Sequence, residues 1–170
     1  MARAQTPEWS MDVDHVIGSF DDEQTAFQYI THALLGPTGE LFVVDADAPR
    51  IVVFDSTGAF LRSFGKEGAG PAEFRLMSAA GFSADTLWVL DIRQSKIVRF
   101  SPTGDFARSE RLENPNGPVL ILSVSDRHMV GIGARSFVDD SARVIAVEGE
   151  AVRVLTSVHQ PSARLMIEIG

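Results

Sequence analysis

Two stretches of this chain repeat each other without a gap. "ELFVVDADAPRIVVFDSTGAFLRS" (Glu40–Ser63) aligns with "TLWVLDIRQSKIVRFSPTGDFARS" (Thr86–Ser109) at an offset of 46 residues. Eleven of the 24 positions are identical, among them Asp45/Asp91, Ile51/Ile97, Phe54/Phe100, Gly58/Gly104 and Arg62/Arg108. A period of this length marks a repeat architecture, in which each unit buries its apolar faces against its neighbours. It constrains the fold more tightly than any composition figure.

Each copy reads as consecutive strands. Leu41–Val44 and Leu87–Leu90 are unbroken apolar runs, as expected of strands covered on both faces. Asp45 and Asp91 end them and are placed to cap the polar turn that follows, since a carboxylate there accepts bonds from free turn amides. Ile51–Phe54 and Ile97–Phe100 form the next strands. "DSTG" and "SPTG" turn the chain, with Gly58 and Gly104 available for φ > 0. Third strands start at Phe60 and Phe106. A fourth strand per unit is expected ahead of the repeat, over Phe27–Ala33 and Leu76–Phe82, where Ala79, Ala80 and Gly81 suit a crowded inner position. A worn third copy follows in "PVLILSV" (Pro118–Val124), "HMVGIG" (His128–Gly133), "RVIAVEG" (Arg143–Gly149) and "AVRVLTSV" (Ala151–Val158). It lacks the repeated Asp, for which Asp139 or Asp140 is a candidate substitute. Four strands per 40 to 50 residues is the period of a β-propeller blade. The fold class is therefore all-β, with four-stranded antiparallel blades.

Between the copies lies "FGKEGAGPAEF" (Phe64–Phe74). A phosphate cradle would require G-x-x-x-x-G-K-[ST] ahead of a helix. No Lys-Ser/Thr follows Gly70, Pro71 removes an amide donor, and no helical period follows. The loop reads as a structural link between blades. Gly65, Gly68, Gly70 and Pro71 turn the chain, Glu73 bonds turn amides, and Phe74 wedges into the seam.

These residues carry a resemblance. "FGKEGAGPAEF", then "LWVLD", then "KIVRFSPTGDF" resembles the six-bladed β-propeller family related to NHL repeats, with Ala72 where the family pattern has glycine. The resemblance implies three blades of a six-bladed ring and a bacterial, extracytoplasmic setting. The implied layout is an extension at 1–12 and a partial propeller at 13–170. Within it, 13–20 is a strand that completes the last blade, 26–65, 75–112 and 117–158 are blades, and 163–170 begins a further strand. A full ring needs roughly 270 residues, so the chain is expected to be the N-terminal part of a longer protein, or a half-ring that closes as a homodimer. Ala2-Arg3-Ala4 fits the end of a secretory leader, with no apolar segment before it to make a signal peptide.

The chain has 170 residues and is 45% hydrophobic, enough for a packed core. Its net charge of −8 and lack of a basic patch argue against a nucleic-acid partner, including the RNA bound by some NHL domains. No apolar run is long enough to span a bilayer. There is no cysteine, so disulfides, thiolate chemistry and cysteine-ligated metals are excluded.

Other chemistries leave faint marks. His15, His32, His128 and His159 form no H-x-x-x-H pair. His32 and His128 fall near inner strands, where a ring can bring them to a shared divalent metal, but surface or turn histidines are the plainer reading. No cofactor is expected. No G-x-S-x-G marks a hydrolase. Asp45 and Asp91 form a possible acid–base pair, yet their equivalent places favour capping. Asp21-Asp22-Glu23 and Asp139-Asp140 lack the alternation of a calcium loop. Trp9 and Trp88 read as core. The expected function is a non-catalytic scaffold that presents loops on one face to a small ligand or protein partner. The alternative is a propeller enzyme, a lyase or hydrolase with its site at the central channel.

Overall fold

The computed structural model describes residues 13, 16–19, 21–112, 120–124, 129–132, 141–148 and 151–159. The expected extension at 1–12, Asp139 and Asp140, His15, His128 and the segment 163–170 lie outside them. No helix occurs among the described residues.

Three four-stranded antiparallel sheets follow one another along the chain. The first holds β1 (Ile30–Leu35), β2 (Leu41–Asp45), β3 (Arg50–Phe54) and β4 (Phe60–Phe64). A loop containing two short parallel strands, β5 (Lys66–Glu67) and β6 (Glu73–Phe74), leads to the second sheet. That sheet holds β7 (Met77–Ser83), β8 (Thr86–Asp91), β9 (Lys96–Phe100) and β10 (Phe106–Arg111). The third holds β11 (Leu120–Val124), β12 (Met129–Ile132), β13 (Ser141–Glu148) and β14 (Ala151–His159). In each sheet the spatial order is the chain order, a meander. The first strands are neighbours: β1 lies beside β7, and β7 beside β11.

The repeat is a repeat of register. Leu41 pairs with Phe54 and Val43 with Val52. Their counterparts pair identically, Leu87 with Phe100 and Val89 with Val98. The first hairpins differ in length. Gly36 and Glu40 close a three-residue tip, whereas Ser83 and Thr86 close a two-residue tip at Ala84-Asp85, with Ala84 at φ 48°. One residue is lost there, so upstream of the hairpin the offset between copies is 47, not 46.

The apolar runs are unbroken because both faces of each strand are covered. Phe42, Val44, Ile51 and Val53 face the second sheet and pack with Leu87, Val89, Val98 and Phe100. The alternate residues Val43, Val52 and Phe54 turn to the other face, where Ile17 and Phe27 cover them. Ala79, Trp88, Leu90 and Ile97 form a further cluster on the far face of the second sheet. Burial of this kind is the main stabilising term in such a fold.

Two strand boundaries shift from the sequence expectation. β1 begins at Ile30 rather than Phe27, because Gln28 and Tyr29 give their amides to the Asp45 side chain instead of to a neighbouring strand. Residues 16–19 form no strand.

Candidate functional site

Two kinds of place hold the singled-out residues, one at each end of the strands. At one end the turns after β2 and β8 meet the chain as it enters each sheet. Buried Asp45 accepts the amides of Gln28 (3.0 Å) and Tyr29 (2.9 Å). Buried Asp91 accepts those of Arg75 (2.7 Å) and Gln94 (2.9 Å). Each Asp thus ties an incoming segment to its sheet and is consumed in doing so.

A cation completes each tie. Lys96 donates to the carbonyls of Gly70 (2.6 Å) and Glu73 (2.7 Å), and its ammonium lies 5.9 Å from the centre of the Phe74 ring. Burial holds this ammonium below the usual lysine range, against the opposing pull of the Asp91 and Glu73 carboxylates. Arg50 does the same one sheet earlier. It donates to the carbonyls of Glu23 and Ala26 and lies 6.0 Å from the Phe27 ring. A backbone bond accompanies each tie, from Ala46 to Tyr29 and from Ile92 to Leu76. Phe27/Phe74 and Gly18/Gly65 occupy matching places at the 47-residue offset, and both glycines have positive φ, 101° and 85°. That φ is strained for any residue with a Cβ. The repeat therefore runs further upstream than sequence reading found. A one-residue gap at the first hairpin would have exposed it.

The glycine-rich loop is internally bonded. Glu73 accepts the Gly70 amide (2.8 Å) and pairs with Lys66 (3.0 Å). The Gly70 amide, then Lys66, hold the Glu73 carboxyl below the usual range. Gly65 and Gly68 carry the positive φ values; Gly70 does not, and its part is to donate that amide. Gly68 lies so close against Glu73 that a Cβ would overlap its carboxylate. Ala72 keeps a negative φ, since the non-glycine residues at positive φ are Ala84 and Ser95. Phe74 is fully buried, 6.0 Å from Phe100.

At the other end of the strands, three turns open a groove of about 480 Å³ between the first two sheets. Thr38, Gly39 and Glu40 come from the β1–β2 turn, Asp55 and Ser56 from the β3–β4 turn, and Pro102 and Thr103 from the β9–β10 turn. Leu61 and Arg62 of β4 form the wall between them. Arg62 donates to Glu40 (3.0 Å) and to the Pro102 carbonyl (2.6 Å), so one side chain ties the two sheets across the groove. The Thr38 hydroxyl donates to the other Glu40 oxygen (2.9 Å). Arg62, aided by Thr38, holds the Glu40 carboxyl below the usual range. Bonds from the Thr57 hydroxyl and the Ala59 and Thr57 amides do the same for Asp55. Both groove carboxylates are therefore ionised at neutral pH. Gly58 and Gly104 close the two outer turns at φ 83° and 93°. Sequence reading missed the groove because its residues come from turns far apart in the chain.

The remaining candidates scatter. His32 on β1 is partly buried, which lowers its pKa, and its Nδ1 has no partner among the described residues. Asp22 caps its own turn, accepting from Gln24 and Thr25. Among the described residues no three His, Asp or Glu side chains are grouped to hold a metal ion.

The sequence pattern of a family described as 6-bladed beta-propeller matches residues 23–127, more than half of the chain. The chain belongs to this six-bladed β-propeller family. Its sheets are propeller blades, and the Asp91 and Lys96 tie links the first blade to the second. Solved structures resemble it at low identity. A Bacteroides fragilis protein thought to be exported shares 20% identity at a TM-score of 0.57, over 75% of this chain and 37% of its own. A catalytically inactive Staphylococcus aureus virginiamycin B lyase with quinupristin shares 16% at 0.48, over 78% and 42%. A Bacteroides caccae protein of unknown function shares 14% at 0.44, over 76% and 46%. The chain spans less than half the length of each, and at these identities the first likeness speaks to the fold. No curated protein matches the chain. No helix among the described residues is long and apolar enough to cross a membrane.

Proposed function

We propose that this chain is a non-catalytic binding module whose ligand sits in the groove between blades one and two. The groove's geometry carries this reading. Three turns from two blades converge on a concavity of about 480 Å³, within the usual range for small-molecule sites. Its ion pair is already bonded on both sides and offers a fixed polar surface rather than a free acid, base or nucleophile. An extracytoplasmic setting accords with this role, as for the Bacteroides fragilis protein thought to be exported. We also read residues 13–20 as the place of an outer strand belonging to an adjoining blade. The Gly18/Gly65 and Phe27/Phe74 matches support that reading, whether later blades of a longer chain or a second copy supply the adjoining strands.

A thermal-shift screen of small metabolites tests the binding role, followed by mass spectrometry of the recovered ligand. A ligand of the groove raises the Tm in proportion to the logarithm of its concentration. It is recovered unchanged, and it gives no shift with Ser56→Trp, which fills the groove from an exposed position. A ligand recovered chemically altered would establish an enzyme of the lyase or hydrolase kind instead. A screen in which nothing raises the parent Tm, or in which Ser56→Trp responds like the parent, refutes the groove as a binding site.

A further inference from the structure

We infer that the groove takes a neutral polyhydroxylated ligand, a saccharide or cyclic polyol. This deepens the binding reading and rests on it. The argument begins with charge. Glu40 and Arg62 neutralise each other at 3.0 Å, and both are further tied, Glu40 to Thr38 and Arg62 to the Pro102 carbonyl. An anion such as a phosphate would meet two ionised carboxylates, Glu40 and Asp55. An amine would find Asp55 already accepting the Thr57 hydroxyl and the Thr57 and Ala59 amides, and at Glu40 it would have to compete with Arg62 or lie beside its guanidinium. At the Glu40–Arg62 pair either would break a preformed contact and leave one of its members unmatched.

A ligand hydroxyl disturbs nothing. It both donates and accepts, so it can add to the spare lone pairs of Glu40 and to the hydroxyls of the rim. Thr38, Ser56 and Thr103 bring such hydroxyls from three separate turns. Ser56 is exposed, and its hydroxyl makes no hydrogen bond among the described residues. Beside them stands an apolar wall. The Leu61 side chain is 42% exposed and borders the groove, giving the C–H face of a ring a surface to cover.

The repeat separates what the blade needs from what the groove adds. Arg62 and Arg108 match, as do Thr57 and Thr103, so these belong to the blade. Glu40, Asp55, Ser56 and Leu61 meet Thr86, Ser101, Pro102 and Ala107 at the same places in the second blade. With Thr86 in place of Glu40, Arg108 turns instead to Glu110 on its own strand, at 2.6 Å. The residues that give the groove its character are thus ones the blade does without.

The test is an amide NMR titration of the ¹⁵N-labelled 170-residue chain with glucose, maltose and myo-inositol, set against glucose 6-phosphate and spermidine. At least one neutral probe shifts the Gly39, Ser56 and Thr103 amides saturably. Glucose 6-phosphate and spermidine bind there at least about tenfold more weakly, because neither can use the Glu40–Arg62 pair without breaking it. Ser56→Ala and Leu61→Ala each weaken the neutral probe about fivefold while the rest of the spectrum stays in place. Charged probes that shift these amides as strongly as the neutral ones overturn the polyol assignment and leave the binding module standing. The assignment also fails if no neutral probe moves the groove amides; the thermal-shift screen then decides the binding role separately.

Discussion

The two blade entrances use one device on different material. At the second blade the incoming segment is a link from β4. Phe74 is fully buried, Lys96 is buried to 8% exposure, and Gln94 adds bonds to Gly68, Glu73 and Asp91. At the first blade the incoming segment is residues 23–29. Phe27 is only partly buried, the Arg50 side chain is 21% exposed, and the place of Glu73 is taken by Ala26. The same geometry is therefore dry and fully bonded in one case and half-open in the other. The difference shows which part of the device is the fold's requirement and which part depends on a neighbour. The Asp, the cation and the aromatic ring recur. Their depth of burial follows from whether a blade packs on both sides.

The largest effect that tests this contrast is loss of the rings. Phe74→Ala opens a cavity in the main cluster and should cost about 3–5 kcal/mol. Phe27→Ala should cost about 1–2 kcal/mol, because that ring is partly solvated already. Urea unfolding of both variants checks the ranking. Equal losses would show that the N-terminal segment is as fully enclosed as the blade link. The same comparison alongside light scattering sharpens the reading of residues 13–20, for a chain that self-associates to cover this face should show the larger Phe27 loss as dimer forms.

Next come the cations. Lys96→Met leaves the Gly70 carbonyl without its side-chain donor and the Glu73 carbonyl with Gln94 alone, and should cost about 1–3 kcal/mol. Arg50→Met removes a more exposed set of bonds and should cost under about 1 kcal/mol. A larger loss for Arg50→Met would reverse the ranking of the two entrances.

The smallest expected effect concerns Glu73, which has no counterpart at the first blade. The Gly70 amide, then Lys66, depress its folded pKa. Such a carboxylate stabilises the fold above its unfolded pKa and loses that contribution as pH falls through the lower folded value. The Tm gap between the parent and Glu73→Gln should be present near neutrality and shrink as pH falls below about 4. A gap that stays constant into acid would mean the carboxylate charge contributes nothing to this loop.

The strands of the first two blades were legible because eleven aligned identities fix both period and register. The repeat also singles out Asp45 and Asp91, since turn chemistry repeats with the blade. The upstream extension of the repeat was hidden by a single residue. The two-residue tip at Ala84-Asp85 shifts the offset to 47, and upstream of it only Gly18/Gly65, Phe27/Phe74 and Ala33/Ala80 remain identical over the matched segments. The groove was hidden more deeply. Glu40 and Pro102 lie more than sixty residues apart and become neighbours only when Arg62 bridges the two blades.

What the sequence determined by itself is the blade: its strand order, its turns, and the unbroken apolar runs that require cover on both faces. These rest on local pattern and on repetition, which a linear reading can detect. Only the tertiary structure decided how one blade meets the next. The second entrance is sealed, the first is half-open, and a groove lies between their far turns. Those features depend on which side chains become neighbours across a seam, and packing between blades settles that.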